Sequence, residues 1–307
     1  MIGIFKIFDA HVHFYSQSFF KFLVRQKPNR LDIASELKGI ASKGYIEIPG
    51  DDPLQLAQRW IEIIDKWKIE RMLLFGSMPG DEDSVLKAIK AHPSRFTGFF
   101  TVDPNSNVLM ENATQRLKTD GFRGILLYPS LYHISIADPW LEPLLNLVQE
   151  TKSLVFVQFG KLTIKPRDFA GIPTMIDQQF ADPLELLSVA KKYPRIRFII
   201  PNFGAGKFEE LLKIGKECPN VFVDSAGANT WISSYPEPID LRKVFQRTLE
   251  AFGPGRILFG SDSGLLPRGY RYDILDNQLK LVQEMRLATA DIKKMFYENL
   301  AGLIDTP

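Results

Sequence analysis

Short apolar runs alternate with longer amphipathic ones along most of the chain. The apolar runs cover residues 7–14, 69–77, 96–102, 122–128, 154–159, 196–201, 221–225 and 257–260. Each is rich in Val, Ile, Leu or Phe and nearly free of charge, the pattern of strands buried on both faces. Between them, residues 53–66, 82–91, 109–118, 140–151, 183–192, 207–217 and 241–252 carry apolar positions at helical spacing. Asp138-Pro139 and Asp182-Pro183 supply an N-cap carboxylate followed by a proline suited to a first turn. His92-Pro93 and Tyr193-Pro194 mark helix ends on the approach to a strand. Eight strands joined by helical crossovers predict an α/β fold of the (β/α)8 TIM-barrel class, a single domain over residues 1–307. A doubly wound sheet is disfavoured: no Gly-x-Gly-x-x-Gly follows the first strand, and Gly204-Ala205-Gly206-Lys207 is too short for a phosphate loop.

Two stretches exceed ordinary connections. Residues 15–52 follow strand one, and residues 162–181 follow strand five. Both leave the strand ends at which such barrels do chemistry, so they are candidate lids or substrate walls. Within the first, residues 31–43 read as a helix, which would equally suit an excursion packed beside the barrel.

Composition narrows the class of partner. A net charge of +2 gives no basic excess to hold a nucleic acid. No apolar stretch reaches the roughly 18 residues of a membrane span. The lone Cys218 precludes an internal disulfide, and the first six residues lack a secretory pattern, so the cytoplasm is the expected compartment. A small molecule is the expected partner, and a second copy of the chain is a further candidate.

Candidate chemistry begins at His11 and His13, two of only 4 histidines in 307 residues. On a strand, side chains at i and i+2 leave the same face, so both imidazoles should enter the barrel mouth and form a starting pair for a divalent metal. Other strand ends converge on the same mouth: Tyr128 from strand four, Gln158 from strand five, Asn202 from strand six, Asp224 from strand seven and Asp262 from strand eight. His11, His13 and Asp262 make three ligands with a position left for water, and Asp262 could also serve as the base. Asp9 shares their alternation but sits deeper, which suggests structural support, including orientation of a neighbouring imidazole.

These segments carry a resemblance. Asp9-Ala10-His11-Val12-His13, Gly121-Phe122-Arg123-Gly124-Ile125, Arg256-Ile257-Leu258-Phe259-Gly260-Ser261-Asp262 and Tyr297-Glu298-Asn299-Leu300-Ala301 resemble the amidohydrolase-related family (amidohydrolase 2) of the amidohydrolase superfamily over nearly the whole chain. The resemblance implies one metal, commonly zinc, and either hydrolysis of amides or lactones or decarboxylation of aromatic and muconate-type acids. The chain departs from that pattern where the family has His at strand five and strand six, since Gln158 and Asn202 stand there. Tyr128 occupies the strand-four position at which a Lys would bridge two metals. Amide oxygens are weaker donors than imidazole and suit manganese or magnesium better than zinc. Neither amide can carry a proton near neutral pH, but either can donate N–H to an oxyanion.

The leading expectation is a metal-dependent hydrolase of a small anionic cyclic ester or amide. His11, His13, Asp262 and Gln158 would hold the metal, while Asp262 and Asn202 carry the catalysis. A metal-independent lactonase, a decarboxylase, and a catalytically silent binding protein are the alternatives. Among the basic residues after strand ends, namely Lys161, Lys165, Arg167, Lys207, Arg268 and Arg271, Arg268 is the candidate grip for a substrate carboxylate. Tyr128 and His133 are the other candidate substrate contacts, His133 as a source of the missing imidazole. Trp231, Tyr235 and Phe203 read as packing, and His92 as structural at the opposite end.

Overall fold

The computed structural model describes residues 5–29, 32–227 and 231–305. Eight parallel strands follow one another around the sheet in chain order: β1 (Phe8–His13), β2 (Arg71–Gly76), β3 (Phe96–Thr101), β4 (Gly124–Leu127), β5 (Leu154–Val157), β6 (Arg197–Ile200), β7 (Val221–Asp224) and β8 (Ile257–Leu258). Hydrogen bonds from Ala10 N to Phe259 O and from His13 N to Ser263 O, both 2.8 Å, bring β1 alongside the chain leaving β8. The fold is a (β/α)8 barrel, as the alternation of apolar and amphipathic runs predicts.

Helices form where sequence spacing places them. Pro53–Lys66, Glu82–Ala91 and Leu241–Phe252 have the predicted limits. The Asp138 and Asp182 carboxylates accept from the N–H groups of Trp140 and Leu184, the capping bonds expected at those Asp-Pro pairs. The predicted helix 109–118 instead breaks into Leu109–Thr114 and a wide π-type turn, Gln115–Thr119, a change of hydrogen-bond register that apolar periodicity does not report. β8 ends at Leu258, short of the predicted 260: Gly260 N turns to the Ser225 hydroxyl at 3.3 Å, and Asp262 adopts a left-handed φ of 54°.

Most of the core lies between the strands and their helices, and a second cluster fills the barrel. Phe8, Ala10, Leu73, Phe75, Phe99, Leu126, Phe156, Ile199 and Leu258 form that inner cluster, with Leu300 and Ile304 of the last helix packed against it. The β1–β2 register shifts between Asp9 and Val12. Before the shift the inward residues are Phe8 and Ala10; beyond it His11 and His13 take over that side, each ring beside Phe75. Strict alternation over the whole strand therefore fails, and Asp9 lies off the histidine face. The irregularity re-aims two side chains at the barrel end, as bulges near functional sites do.

The two long insertions meet. Helices α1 (Gln17–Arg25) and α2 (Ile33–Gly44) come from the first, and the short helix Lys165–Ala170 from the second. Leu31, the start of the predicted 31–43 helix, lies outside the described residues. Phe19, Phe20, Leu23, Val24 and Ile40 bury against Ala170 and Ile172 in a cluster separate from the barrel core. Lys43 Nζ donates to Asp168 O at 2.9 Å, and Arg167 donates to Gln26 Oε1 at 2.7 Å, so polar contacts reinforce the junction. Among the described residues no helix is long and apolar enough to cross a membrane.

Candidate metal centre and active site

His11 and His13 project from the end of β1, and Asp262 from the turn after β8. One ligand atom from each lies within 4.8 Å of the others. His11 Nε2 stands 3.7 Å and His13 Nε2 3.4 Å from Asp262 Oδ1. Two ligands each about 2.1 Å from a metal at a tetrahedral angle would be roughly 3.4 Å apart, so this spacing fits a divalent ion.

The partners of the opposite ring nitrogens fix which tautomer faces that point. His11 Nδ1 lies 2.8 Å from Asp224 Oδ2, and a carboxylate only accepts, so Nδ1 carries the proton. His13 Nδ1 lies 2.6 Å from Ser77 Oγ, whose own O–H is directed to Phe75 O at 3.3 Å, leaving the hydroxyl oxygen to accept from the ring. Both Nε2 lone pairs are then free to bind a metal, in the carboxylate- or hydroxyl-oriented arrangement that metal-binding histidines use.

Asp224 is itself held by its backbone surroundings. Its Oδ1 accepts from Asn202 N at 2.8 Å and Ala226 N at 2.9 Å, so both carboxylate oxygens are hydrogen-bonded inside the fold. Burial works against a charged His11, but Asp224 outweighs it and the His11 pKa is raised. For His13 burial prevails and the pKa is lowered, which keeps this ring neutral. Burial would raise Asp262, yet the electrostatic surroundings set by the two imidazoles and Arg271 bring it down to about 2. Asp9 is pushed up to about 6 by burial despite accepting from the N–H groups of His11 and Ser261. It ties the β1 backbone to the β8 turn; Asp224, not Asp9, orients the imidazole.

These ligands lie in a cavity of about 290 Å³. Rings of Tyr15, Phe19, Phe75, Tyr128 and Phe156 wall it, and Thr163 to Pro166 of the second insertion border it. Both insertions thus contribute to the cavity lining. Arg268, Arg271, Lys161 and Lys165 supply positive charge at the lining. Arg271 is tied to Asp273 at 2.6 Å, whereas Arg268 makes no hydrogen bond or ion pair among the described residues.

The far wall replaces imidazoles by two linked amides. Gln158 Nε2 donates to Phe159 O at 2.6 Å, and Gln158 Oε1 accepts from Asn202 Nδ2 at 3.1 Å. The oxygen expected to ligate a metal is therefore already engaged by Asn202. Asn202 sits at a φ of 58° in a run of left-handed residues that includes Phe203, Gly204, Ala205 and Gly206. Gly227 passes so close that a Cβ there would lie 2.5 Å from Asn202 Oδ1, which demands glycine.

Other expected contacts lie elsewhere. His133 is exposed, with Nε2 2.9 Å from Met175 O, and is not among the cavity-lining residues. The short helix Pro129–Tyr132 carries it away from the mouth, so it does not supply the missing imidazole. Arg167 is held by Gln26 and Pro173 O, and Lys207 lies 3.7 Å from Glu210. Phe203 packs on Phe245 and Tyr235 reaches Glu209, while Trp231 borders the cavity. His92 closes the helix Glu82–Ala91, with its ring against Phe96. Residues without an assigned role in the sequence now have one: Asp224 and Ser77 as orienting partners, and Tyr15 as a wall. An acid at the end of an apolar strand was the available signal for Asp224; Ser77 and Tyr15 carried none.

Three crystal structures resemble the fold. A 5-carboxyvanillate decarboxylase from Sphingomonas paucimobilis matches at TM-score 0.65 and 12% identity, over 98% of this chain and 99% of that one. An uncharacterized TIM-barrel protein from Bordetella bronchiseptica matches at 0.68 and 16%, over 98% of each. A dihydroxybenzoic acid decarboxylase from Polaromonas sp. JS666, with bound manganese and the inhibitor 2-nitroresorcinol, matches at 0.64 and 16%, over 98% and 97%. No curated protein sequence matches the chain. The amidohydrolase family model matches residues 8–301, from the first strand to the last helix, and the chain belongs to that family.

Proposed function

We propose that this chain is a metal-dependent decarboxylase of a small hydroxylated cyclic or aromatic acid. The observation that carries the reading is the lining of one cavity: three ligand atoms within 4.8 Å of one another, aromatic walls, and Arg268 free to pair. His11, His13 and Asp262 would hold the metal, with manganese and zinc both compatible with two nitrogens and one carboxylate. The decarboxylases of similar fold, one of them with manganese bound, support the same reaction class. When bound, the metal supplies a Lewis acid that fixes and polarises substrate oxygens.

The remaining chemistry belongs to side chains of the chain. Arg268 offers a planar fork suited to a carboxylate. The Phe75, Phe156 and Tyr128 rings give the cavity apolar faces, which favour loss of a neutral molecule from a charged one. Replacing a carboxylate by hydrogen consumes one proton. Asp262 is the only carboxyl lining the cavity among the described residues, and it is assigned to relay that proton from solvent. The linked amides Gln158 and Asn202 form a polar, non-titrating wall.

Hydrolysis of a lactone or amide is the second reading. It is favoured by an Asp262 held ionised beside two imidazoles, a base for water, and by the Asn202 amide on the cavity lining. Protein loaded with manganese or zinc separates the two when incubated with hydroxybenzoates and with small lactones. Release of carbon dioxide from the acids supports decarboxylation, and ring opening alone supports hydrolysis. Metal-loaded protein inert toward both panels would overturn the enzymatic reading.

A further inference from the structure

Tyr15 is the first residue of the 15–52 insertion and stands two residues beyond His13. Its ring stacks on the His13 imidazole, with centroids 5.1 Å apart and planes 5° apart. Phe19 braces it at 4.6 Å. Gly264 makes the room: a Cβ there would lie 2.8 Å from Tyr15 Cε2 and 3.0 Å from His13 Cβ. The aromatic ring is therefore positioned by three neighbours on three different segments, and Tyr15 lines the cavity that contains the ligand atoms.

What its hydroxyl does is not explained by the fold. The other hydroxyls near the ligands have partners: Ser77 Oγ bonds His13 and Phe75 O, and Ser263 Oγ bonds Ser261 and Arg271 N. The Tyr15 hydroxyl makes no hydrogen bond among the described residues. A phenol carries an O–H, so Tyr15 presents a hydrogen-bond donor to whatever enters.

We propose that Tyr15 is a specificity-determining residue whose hydroxyl donates a hydrogen bond to an oxygen of the bound substrate. The proposal rests on the substrate class inferred above. It extends that class by assigning the acceptor: an oxygen on the side of the substrate facing the first insertion, at the His13 edge of the site. A bond of this kind to a charged oxygen corresponds to roughly 10- to 100-fold in affinity.

The test is titration of manganese-loaded protein with 2-nitroresorcinol by calorimetry, for the native chain and Tyr15→Phe, with metal content and melting temperature measured on both. Phenylalanine keeps the stacked ring and removes only the donor. The expected result is a Kd raised at least about tenfold, with metal content and melting temperature unchanged. An unchanged Kd overturns the role of Tyr15 while leaving the substrate class intact. Loss of metal in Tyr15→Phe would also overturn it, by reassigning the residue to support of His13. Native protein that holds manganese but does not bind the probe would overturn the substrate class, and the Tyr15 assignment with it.

Discussion

The two sides of the barrel mouth are built on opposite plans. On the β1, β7 and β8 side, each titratable group is oriented by another: Asp224 and Ser77 fix the two imidazoles, and backbone N–H groups fix Asp224. On the β5 and β6 side, Gln158 and Asn202 bond to each other and to a carbonyl, and nothing there titrates near neutral pH. The first side is suited to hold a cation and move a proton, the second to present fixed dipoles. Polarity has been kept on the amide side while basicity has been lost. The lesson is that a site can stand two imidazoles short of a family's pattern without becoming apolar, when amides that bond to each other occupy the positions.

The strongest way to break this contrast is to remove one residue from each side. His11→Ala should abolish metal retention, from about one ion per chain to less than ~0.1, and turnover with it. Gln158→Ala should retain the ion. Elemental analysis of both proteins checks the pair, and equal metal loss in both would make Gln158 a ligand after all.

A smaller effect is expected one shell further out. Asp224→Asn keeps the shape but replaces the charged acceptor of His11 Nδ1–H, and should weaken metal affinity by roughly 10- to 100-fold. Competition with a chromophoric chelator measures the change. Affinity equal to the native value would mean that the His11 orientation is set by packing alone.

A separate effect, read in folding stability and not in metal affinity, concerns the ground behind the imidazole side. Asp81 is fully buried and accepts from Ser16 Oγ at 2.6 Å, joining the strand-two connection to the first insertion. Burial pushes its pKa from 3.8 to about 7. Between those values the folded chain keeps a proton that the unfolded chain releases, so stability should fall as pH rises from about 4 to 7. Asp81→Asn should flatten that decline, by roughly 2–4 kcal/mol across the window. Chemical denaturation at pH 5 and pH 7 provides the comparison, and parallel pH dependences in both proteins would rule Asp81 out as its source.

The fold was legible because barrel strands are enclosed on both faces and so read as uncharged apolar runs, a signal that residues 96–102 or 154–159 carry without help from context. Their ends were less legible. Apolar residues such as Phe259 continue past the last ladder bond because they remain buried after the strand stops. The three clustered side chains, candidates for metal ligands, could be read from His-x-His spacing and a terminal Asp at the end of a strand. The register shift that turns the two histidines inward could not, and neither could the direction taken by His133 after the Pro129 turn. Ser77 and Tyr15 were hidden for a different reason. A hydroxyl acquires its role from what lies across the barrel, and that partner is distant in sequence.

The roof over the mouth has an engineering consequence. Because α1 and α2 share their apolar cluster with the segment that carries Ala170 and Ile172, neither insertion can be exchanged alone without stripping cover from the other. A designer re-aiming this barrel at a larger molecule would have to graft residues 15–52 and 162–181 together, as one cassette with two points of attachment.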